Sequence, residues 1–368
     1  MPDTIACYLS SHGYGHAVRS LEVMRQLARL RSGADLRIII VSGAPRFLFE
    51  DAMSEFPNIS LRSAAVDFGL VQRDPRNFSL AMTARKLRSL VNHAERIIAR
   101  ERAFLSRCSA AALWCDIPFI PFEAAAREGI PAIGMGNFSW DWIYDYYADA
   151  DPVFAEAAEL ARETYQRAFM YFELPHSPPP SAFPKHEKIP LVARTPRFSR
   201  EEARRRLGLR DGDCAALLGF SELHLSDAAC ERLDALAKRG TIRYIIPSPM
   251  RMDLENALMP ETLDFASLAA ASDIIVTKLG YGIVSDAVRN TVPLVYTERG
   301  DFPELPYLEA LVRETVGGVF LRRVDFEAGA WEESLQAALE LRAENAAGGY
   351  FLDGAEQAAR RFLELIGI

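Results

Sequence analysis

Two glycine-rich turns in this 368-residue sequence carry side chains suited to chemistry. In the first, Gly13 and Gly15 allow a tight turn between the apolar run at residues 4–9 and a helical pattern. His16 then falls at the helix N-terminus, whose partial positive charge disfavours the imidazolium and suits a neutral imidazole acting as a general base. The alternative is that His16 only caps or packs the turn.

A carboxylate partner for His16 lies a hundred residues away in the sequence. Asp116 directly follows the apolar run at residues 110–115, the fourth predicted strand. In a parallel sheet of the usual order the first and fourth strands are neighbours, so we expect Asp116 to lie beside His16. There it would fix the imidazole tautomer and stabilise the cation formed during proton abstraction. Capping of the turn before Pro118 is an almost equal alternative.

The second glycine turn, residues 277–287, again follows a strand pattern and opens a helix. Gly280 and Gly282 leave backbone N–H groups open to an anion such as a diphosphate, and Lys278 adds a charge. Asp286 lies one helical turn further, where it could accept hydrogen bonds from a ribose. A turn that serves only helix packing is the alternative.

Other polar residues follow predicted strands of the second half. Gly219 and Ser221 are placed to add phosphate contacts, and Asp301 and Glu304 to read donor-sugar hydroxyls. Asp301 and Glu304 could equally cap the helix near Pro306.

Further polar and aromatic residues of the first half could contact sugar hydroxyls near predicted strand ends. They are His12, Gly13, Asp67, Gln72, Asn137 and Trp140. Trp140 could form an apolar platform under a sugar ring, although large aromatic residues more often lie in a core. The loop that carries Asp67 and Gln72 could also be simply exposed.

Strand patterns alternate with helical patterns throughout, which predicts an α/β fold of two Rossmann-like domains facing across a cleft. The predicted strands cover residues 5–9, 36–41, 59–64, 110–115 and 130–134, then 214–220, 243–246, 273–277, 292–296 and 318–321. We expect an N-terminal Rossmann-like domain at 1–174, a proline-rich linker at 175–200 and a second Rossmann-like domain at 201–352. A C-terminal helix at 353–368 could return to the first domain.

Composition restricts the function classes. No apolar run reaches the roughly 18 to 20 residues of a membrane span, so we expect a soluble, cytoplasmic protein. A net charge of -8 argues against nucleic acid as a partner. The five cysteines lack the paired spacing of a zinc site, and we expect neither a metal nor another cofactor.

The quoted motifs resemble the GT-B glycosyltransferases, most closely the N-terminal glycosyltransferase-like half of plant L-arabinokinases; the kinase half has no counterpart in the sequence. The segments that carry the resemblance are residues 12–19, 137–141, 189–194 and 278–282. By similarity, His16 matches the histidine after the N-terminal glycine turn in the peptidoglycan N-acetylglucosaminyltransferase. Residues of the nucleotide-holding motif are matched by Gly280, Tyr281, Gly282, Ser285 and Asp286, with Asp286 in place of the more usual glutamate.

The resemblance implies metal-independent transfer of a sugar from a nucleoside diphosphate donor, most often a UDP-sugar, to a hydroxyl acceptor. It implies an acceptor-side domain at 1–174, so that the first-half candidates from His12 to Trp140 are the expected acceptor-side residues, and a nucleotide-sugar domain at 201–352. Two other functions fit the same fold: a sugar-nucleotide 2-epimerase, and a sugar-nucleotide-binding protein without catalysis.

Overall fold

The computed structural model describes residues 3–31, 35–72, 77–240, 242–255, 257–344 and 352–368, and no side chain at 342–344. The described residues form two units. The first holds those up to Val71, from Phe78 to Ala193 and from Leu352 onward; the second holds Gln72, Asn77 and those from Arg194 to 344.

Seven parallel strands form the sheet of the first unit. They are β1 (Asp3–Leu9), β2 (Leu36–Ser42), β3 (Ile59–Ser63), β4 (Ala110–Asp116), β5 (Ala132–Gly136), β6 (Met170–Glu173) and β7 (His186–Lys188), in the order β3-β2-β1-β4-β5-β6-β7. Residues Ile5 to Leu9 of β1 are buried without alternation. Such a continuous apolar run is typical of a parallel strand covered on both faces.

Helices alternate with these strands. They are α1 (Gly15–Leu30), α2 (Phe47–Glu55), α3 (Leu80–Asn92), α4 (Ala94–Arg107), α5 (Ile120–Arg127), α6 (Trp140–Tyr146) and α7 (Pro152–Tyr165), with a 3-10 turn at Ala148–Ala150. Ser79 caps α3 by accepting from the Met82 amide, and Asp151 caps α7 by accepting from the Val153 amide. These caps explain why the two helices begin where they do.

The second unit has a five-stranded parallel sheet. Its strands are β8 (Cys214–Gly219), β9 (Ile242–Ile245), β10 (Ile274–Lys278), β11 (Leu294–Thr297) and β12 (Gly318–Phe320), in the order β12-β11-β10-β8-β9. Its helices are α8 (Arg200–Arg206), α9 (Asp227–Arg239), α10 (Phe265–Ala271), α11 (Tyr281–Asn290), α12 (Leu305–Glu314), α13 (Arg323–Glu327) and α14 (Glu332–Glu344). The prediction of two Rossmann-like α/β sheets is confirmed.

The segment predicted as a linker, residues 175–200, differs from that prediction. β7 lies inside it and pairs with β6, because the prolines at 178–180 turn the chain back to the sheet edge. The change of unit falls between Ala193 and Arg194.

The last helix, α15 (Gly354–Ile366), folds with the first unit. Its Phe362 ring is fully buried with its centroid 5.6 Å from that of Trp114. A Cβ at Gly354 would lie 2.1 Å from the Pro190 carbonyl oxygen, so only glycine fits there. Residues 345–351, beside the predicted boundary at 352/353, lie outside the described residues.

All five cysteines are free thiols. Within the described ranges, no helix is long and apolar enough to cross a membrane.

Candidate functional site

The first unit brings His16 and Asp116 together at the point where its strand order reverses. His16 is the second residue of α1, after a turn in which Gly13 adopts a φ of 66°. Asp116 is the last residue of β4 and pairs in register with Leu9 of β1. The His16 Nδ1 and an Asp116 carboxylate oxygen are 2.8 Å apart. Because β1 and β4 are neighbours, two residues a hundred positions apart meet at the carboxyl edge of the sheet.

Asp116 is a fully buried carboxylate held by three further donors. Arg19 donates to it from Nε at 2.7 Å and Nη2 at 2.6 Å, and the Ser20 hydroxyl donates at 2.8 Å. Burial raises the pKa of Asp116, but the charges and hydrogen bonds of Arg19 and His16 outweigh it and lower that pKa to about 2. Asp116 is therefore an anion at neutral pH and can only accept hydrogen bonds.

This anion decides the tautomer of His16. Since Asp116 only accepts, the proton of the neutral imidazole resides on Nδ1 and the lone pair on Nε2. The 3.0 Å approach of Arg19 Nη2 to Nδ1 is then a contact between two groups that both donate to Asp116. Nε2 forms no hydrogen bond to any described residue and is not among the buried unpartnered atoms. The basic nitrogen of His16 thus reaches the accessible surface, although the side chain is only 6% exposed.

The start of α1 keeps the surroundings of His16 electropositive. The helix has no side-chain cap and no acidic residue in its first turn. A Cβ at Gly13 or Gly15 would meet nothing within 4 Å, so the turn is open on its outer side. Free amides and an open turn leave room for a polar group next to the imidazole.

Trp140 lies in the core next to the His16 imidazole. Its side chain is fully buried and its ring centroid lies 6.2 Å from that of His16. The indole Nε1 donates to Asp67 at 3.0 Å, and the ring stacks on Tyr144. Trp140 therefore lies in the core, which is the alternative to a platform under a sugar ring.

Asp67 and Asn137 are also internal. Asp67 accepts from the Ser11 amide at 3.0 Å as well as from Trp140, and burial raises its pKa. Asn137 is 1% exposed and accepts a hydrogen bond from Arg19. Both residues are buried next to the His16 cluster, and their contact with an acceptor stays a prediction.

The remaining expected acceptor-side residues, His12 and Gln72, belong to different units. His12 is 8% exposed and packs edge-on against Trp140, with ring centroids 5.3 Å apart. Gly69, at a φ of 58°, fits between these two rings, where a Cβ would lie 2.5 Å from Trp140. Gln72 is exposed and belongs to the second unit.

In the second unit, the glycine turn at Gly280 also lies where the strand order reverses, between β8 and β10. Gly280 is the N-cap of α11, which has neither a side-chain cap nor an acidic residue in its first turn. A Cβ at Gly280 would meet nothing within 4 Å. Lys278 ends β10 and is half-buried. An uncapped helix start beside open space suits an anion.

The other motif residues on α11 support the helix from inside. Tyr281 is 4% exposed, and the buried Ser285 hydroxyl donates to the Tyr281 carbonyl at 2.8 Å. Gly219 ends β8, where a Cβ would lie 2.1 Å from Ile283 Cδ1. Gly219 is therefore a packing glycine that lets α11 approach β8, and the exposed Ser221 lies two residues beyond it.

Asp286 has a buried carboxylate. It is 1% exposed, and its two oxygens accept from the backbone N–H and the guanidinium of Arg194. Both carboxylate oxygens therefore have a protein partner, and the ribose contact stays a prediction.

Of the two carboxylates after β11, Asp301 is exposed while Glu304 is 2% exposed. Glu304 accepts from Arg299 at 2.6 Å, so its charge is neutralised inside the protein. The same Arg299 nitrogen donates to the Leu279 carbonyl at 2.9 Å, directly before Gly280. A guanidinium thus borders the open helix start.

Arg19 and Arg299 are the residues that sequence reasoning missed. A signal existed for Arg19: it lies three positions after His16, which is one helical turn. Arg299 lies two residues before Asp301, in the segment whose carboxylates are the sequence-based candidates.

A metal site is not apparent in the part of the chain that the structure describes: no group of three histidine, cysteine, aspartate or glutamate side chains could hold an ion. At the Gly280 turn, positive charge comes from the uncapped start of α11 and from Lys278 at the end of β10.

Comparison with solved structures gives the class: the chain has the GT-B fold of glycosyltransferases. The calicheamicin glycosyltransferase CalG4 is 17% identical with a TM-score of 0.63, covering 100% of this chain and 99% of that one. A UGT transferase from Siraitia grosvenorii, solved with UDP, is 12% identical with a TM-score of 0.58 and covers 100% of both chains. A Listeria monocytogenes protein described as a UDP-N-acetylglucosamine 2-epimerase is 13% identical with a TM-score of 0.60, covering 100% and 96%.

Among curated proteins, the chain is similar to L-arabinokinase of Arabidopsis thaliana. The two are 29% identical over 347 residues, which is 92% of this chain and 32% of the relative. The chain therefore spans about a third of the length of the curated relative it matches. No protein-family model matches the sequence.

Proposed function

We propose that this protein transfers a sugar from a nucleoside diphosphate sugar to a hydroxyl acceptor without a metal ion. The observation that carries the proposal is the buried His16–Asp116 pair, with its basic Nε2 at the surface beside an open helix start. In this proposal the first unit supplies the base and the second unit holds the donor.

The chemistry divides between the two ends of the transferred group. The Nε2 of His16 removes the proton of the acceptor hydroxyl as its oxygen bonds to the anomeric carbon of the donor sugar. The bond from that carbon to the diphosphate oxygen breaks, and the diphosphate leaves with the electron pair. Asp116 stays ionised and stabilises the imidazolium that forms.

The leaving diphosphate needs positive charge that is already in place. The uncapped N-terminus of α11 and Lys278 at the end of β10 provide it. Uridine is the proposed base because the Siraitia structure was solved with UDP and the Listeria protein is described as acting on a UDP-sugar.

A 2-epimerase is the second candidate, since the Listeria protein shares this fold. Such an enzyme alters the sugar with no acceptor present. A protein that only binds the donor would do neither reaction.

Proton NMR of the anomeric signals separates the three. The protein is incubated with UDP-, GDP- and ADP-sugars, each with and without a panel of hydroxyl acceptors. The proposal expects a new glycoside and free nucleoside diphosphate only when an acceptor is present. A changed sugar still attached to its nucleotide, without acceptor, would establish the epimerase. Donor binding with no change in any signal would support a protein that only binds the donor and would contradict catalysis.

A further inference from the structure

Asp286 lies on α11, the helix that holds the donor in the proposed function, and it is paired with Arg194. We infer that this pair positions α11, so that Asp286 acts on nucleotide binding through the helix and not by contact with the ribose. The inference rests on the proposed function, because it concerns the same donor site.

Arg194 donates hydrogen bonds to both carboxylate oxygens of Asp286, and we call this pair the clamp. One Asp286 oxygen accepts from the Arg194 backbone N–H at 3.1 Å, and the other accepts from Nε at 2.8 Å and from Nη2. Asp286 is 1% exposed, and the Arg194 side chain is 22% exposed. The guanidinium carbon also lies 4.4 Å from the ring centroid of Phe265, the first residue of α10. Arg194 is thereby held from two sides.

The clamp lies one turn along α11 from a second anchor. Ile283 packs against Gly219 of β8, where no side chain would fit. The contact of Ile283 with the sheet and the bonds of Asp286 to Arg194 both restrain rotation and sliding of the helix. Its first amides, next to Gly280, are then held in one direction, as a preorganised anion site requires.

Arg194 is also the residue at which the chain enters the second unit. The clamp therefore joins the entering segment to the donor-binding helix. A ribose hydroxyl could reach Asp286 only if Arg194 left, which would strand a buried carboxylate without its cation.

The test compares UDP with 2′-deoxy-UDP by calorimetry in the wild type and in Asp286→Asn and Arg194→Gln. The positioning role predicts that each variant weakens both nucleotides by the same factor, between about 10- and 100-fold. The wild-type preference for UDP over 2′-deoxy-UDP is then unchanged. The KM for the donor sugar should rise by a similar factor, with a smaller change in kcat.

A control and a rescue keep the result interpretable. Glu202→Gln removes an exposed ion pair on α8 and should leave both affinities unchanged. The double variant Asp286→Asn with Arg194→Gln has no unpaired charge, so it tests nucleotide binding even where a single variant fails to fold. We expect the double variant to weaken UDP and 2′-deoxy-UDP equally.

Three results would overturn the inference. Loss of the preference for UDP in Asp286→Asn would show a ribose contact. A lower melting temperature with unchanged affinities would show a purely structural pair. A wild type that binds no nucleoside diphosphate would refute the proposed function itself, and the positioning role with it.

Discussion

Replacing Asp116 by asparagine perturbs the proposed catalytic pair most informatively. The carboxylate is fully buried and accepts from His16, from two nitrogens of Arg19 and from Ser20. An asparagine at 116 has one acceptor oxygen, which Arg19 attracts, so its NH2 group faces the imidazole. His16 then accepts at Nδ1, and its proton moves to Nε2, the nitrogen that must be free.

Two magnitudes follow from this geometry. Arg19 is 3% exposed, so removal of its counter-charge should lower the free energy of unfolding by about 3–5 kcal/mol. Turnover should fall by about 10²–10⁴-fold, because the base has the wrong tautomer and its cation is no longer stabilised.

The assay must separate lost chemistry from lost folding. The double variant Asp116→Asn with Arg19→Met removes the stranded charge and should recover most of the stability, as measured by urea unfolding. Its acceptor-dependent release of nucleoside diphosphate should still be at least about 100-fold below wild type. A stable double variant that turns over within about threefold of wild type would refute the reasoning, since the carboxylate would then have no part in catalysis.

Three further predictions concern other parts of the fold. Gly280→Ala should weaken UDP binding at least about tenfold by calorimetry without lowering the melting temperature, because its methyl group occupies open space at the helix start. Gly219→Ala should instead lower the melting temperature, because its methyl group clashes with α11. Equal effects of the two variants on UDP binding would argue against the anion site. Trp140→Phe should lower the free energy of unfolding by about 1–3 kcal/mol, because Asp67 loses a buried donor, and should leave the acceptor KM unchanged. A raised acceptor KM with unchanged stability would support a platform for a sugar ring at Trp140. Folding lowers the pKa of Asp116, so this carboxylate stabilises the fold by about 2 kcal/mol above pH about 4, and the stabilisation is lost as the pH falls towards 2. Urea unfolding should show this fall in the free energy of unfolding for the wild type but not for the double variant Asp116→Asn with Arg19→Met.

The positions of the strands and the two switch points could be predicted because they depend on pattern. Apolar runs without alternation define buried parallel strands, and a glycine turn followed by helical periodicity defines what comes after them. The meeting of His16 and Asp116 follows from the strand order alone. β6 and β7 were not predicted. β6 has only four residues, and β7 is a three-residue edge strand after several prolines, so neither carries a pattern long enough to identify it.

The direction in which polar side chains point could not be predicted. Asp286, Glu304 and Asp67 each occupy a plausible ligand position in the sequence, yet each is buried with a protein partner: Arg194, Arg299 or Trp140. A carboxylate is satisfied by a buried guanidinium as well as by a ligand hydroxyl, and the partner lies elsewhere in the chain. Sequence spacing does not distinguish the two.

The central claim is tested most directly by acceptor-dependent release of nucleoside diphosphate in wild type and His16→Ala, with donor affinity measured on the same samples. The account predicts that the variant loses about 10²–10⁴-fold in turnover while its donor affinity stays within about twofold of wild type. Wild-type turnover in the variant, with an acceptor that the wild type uses, would contradict the account.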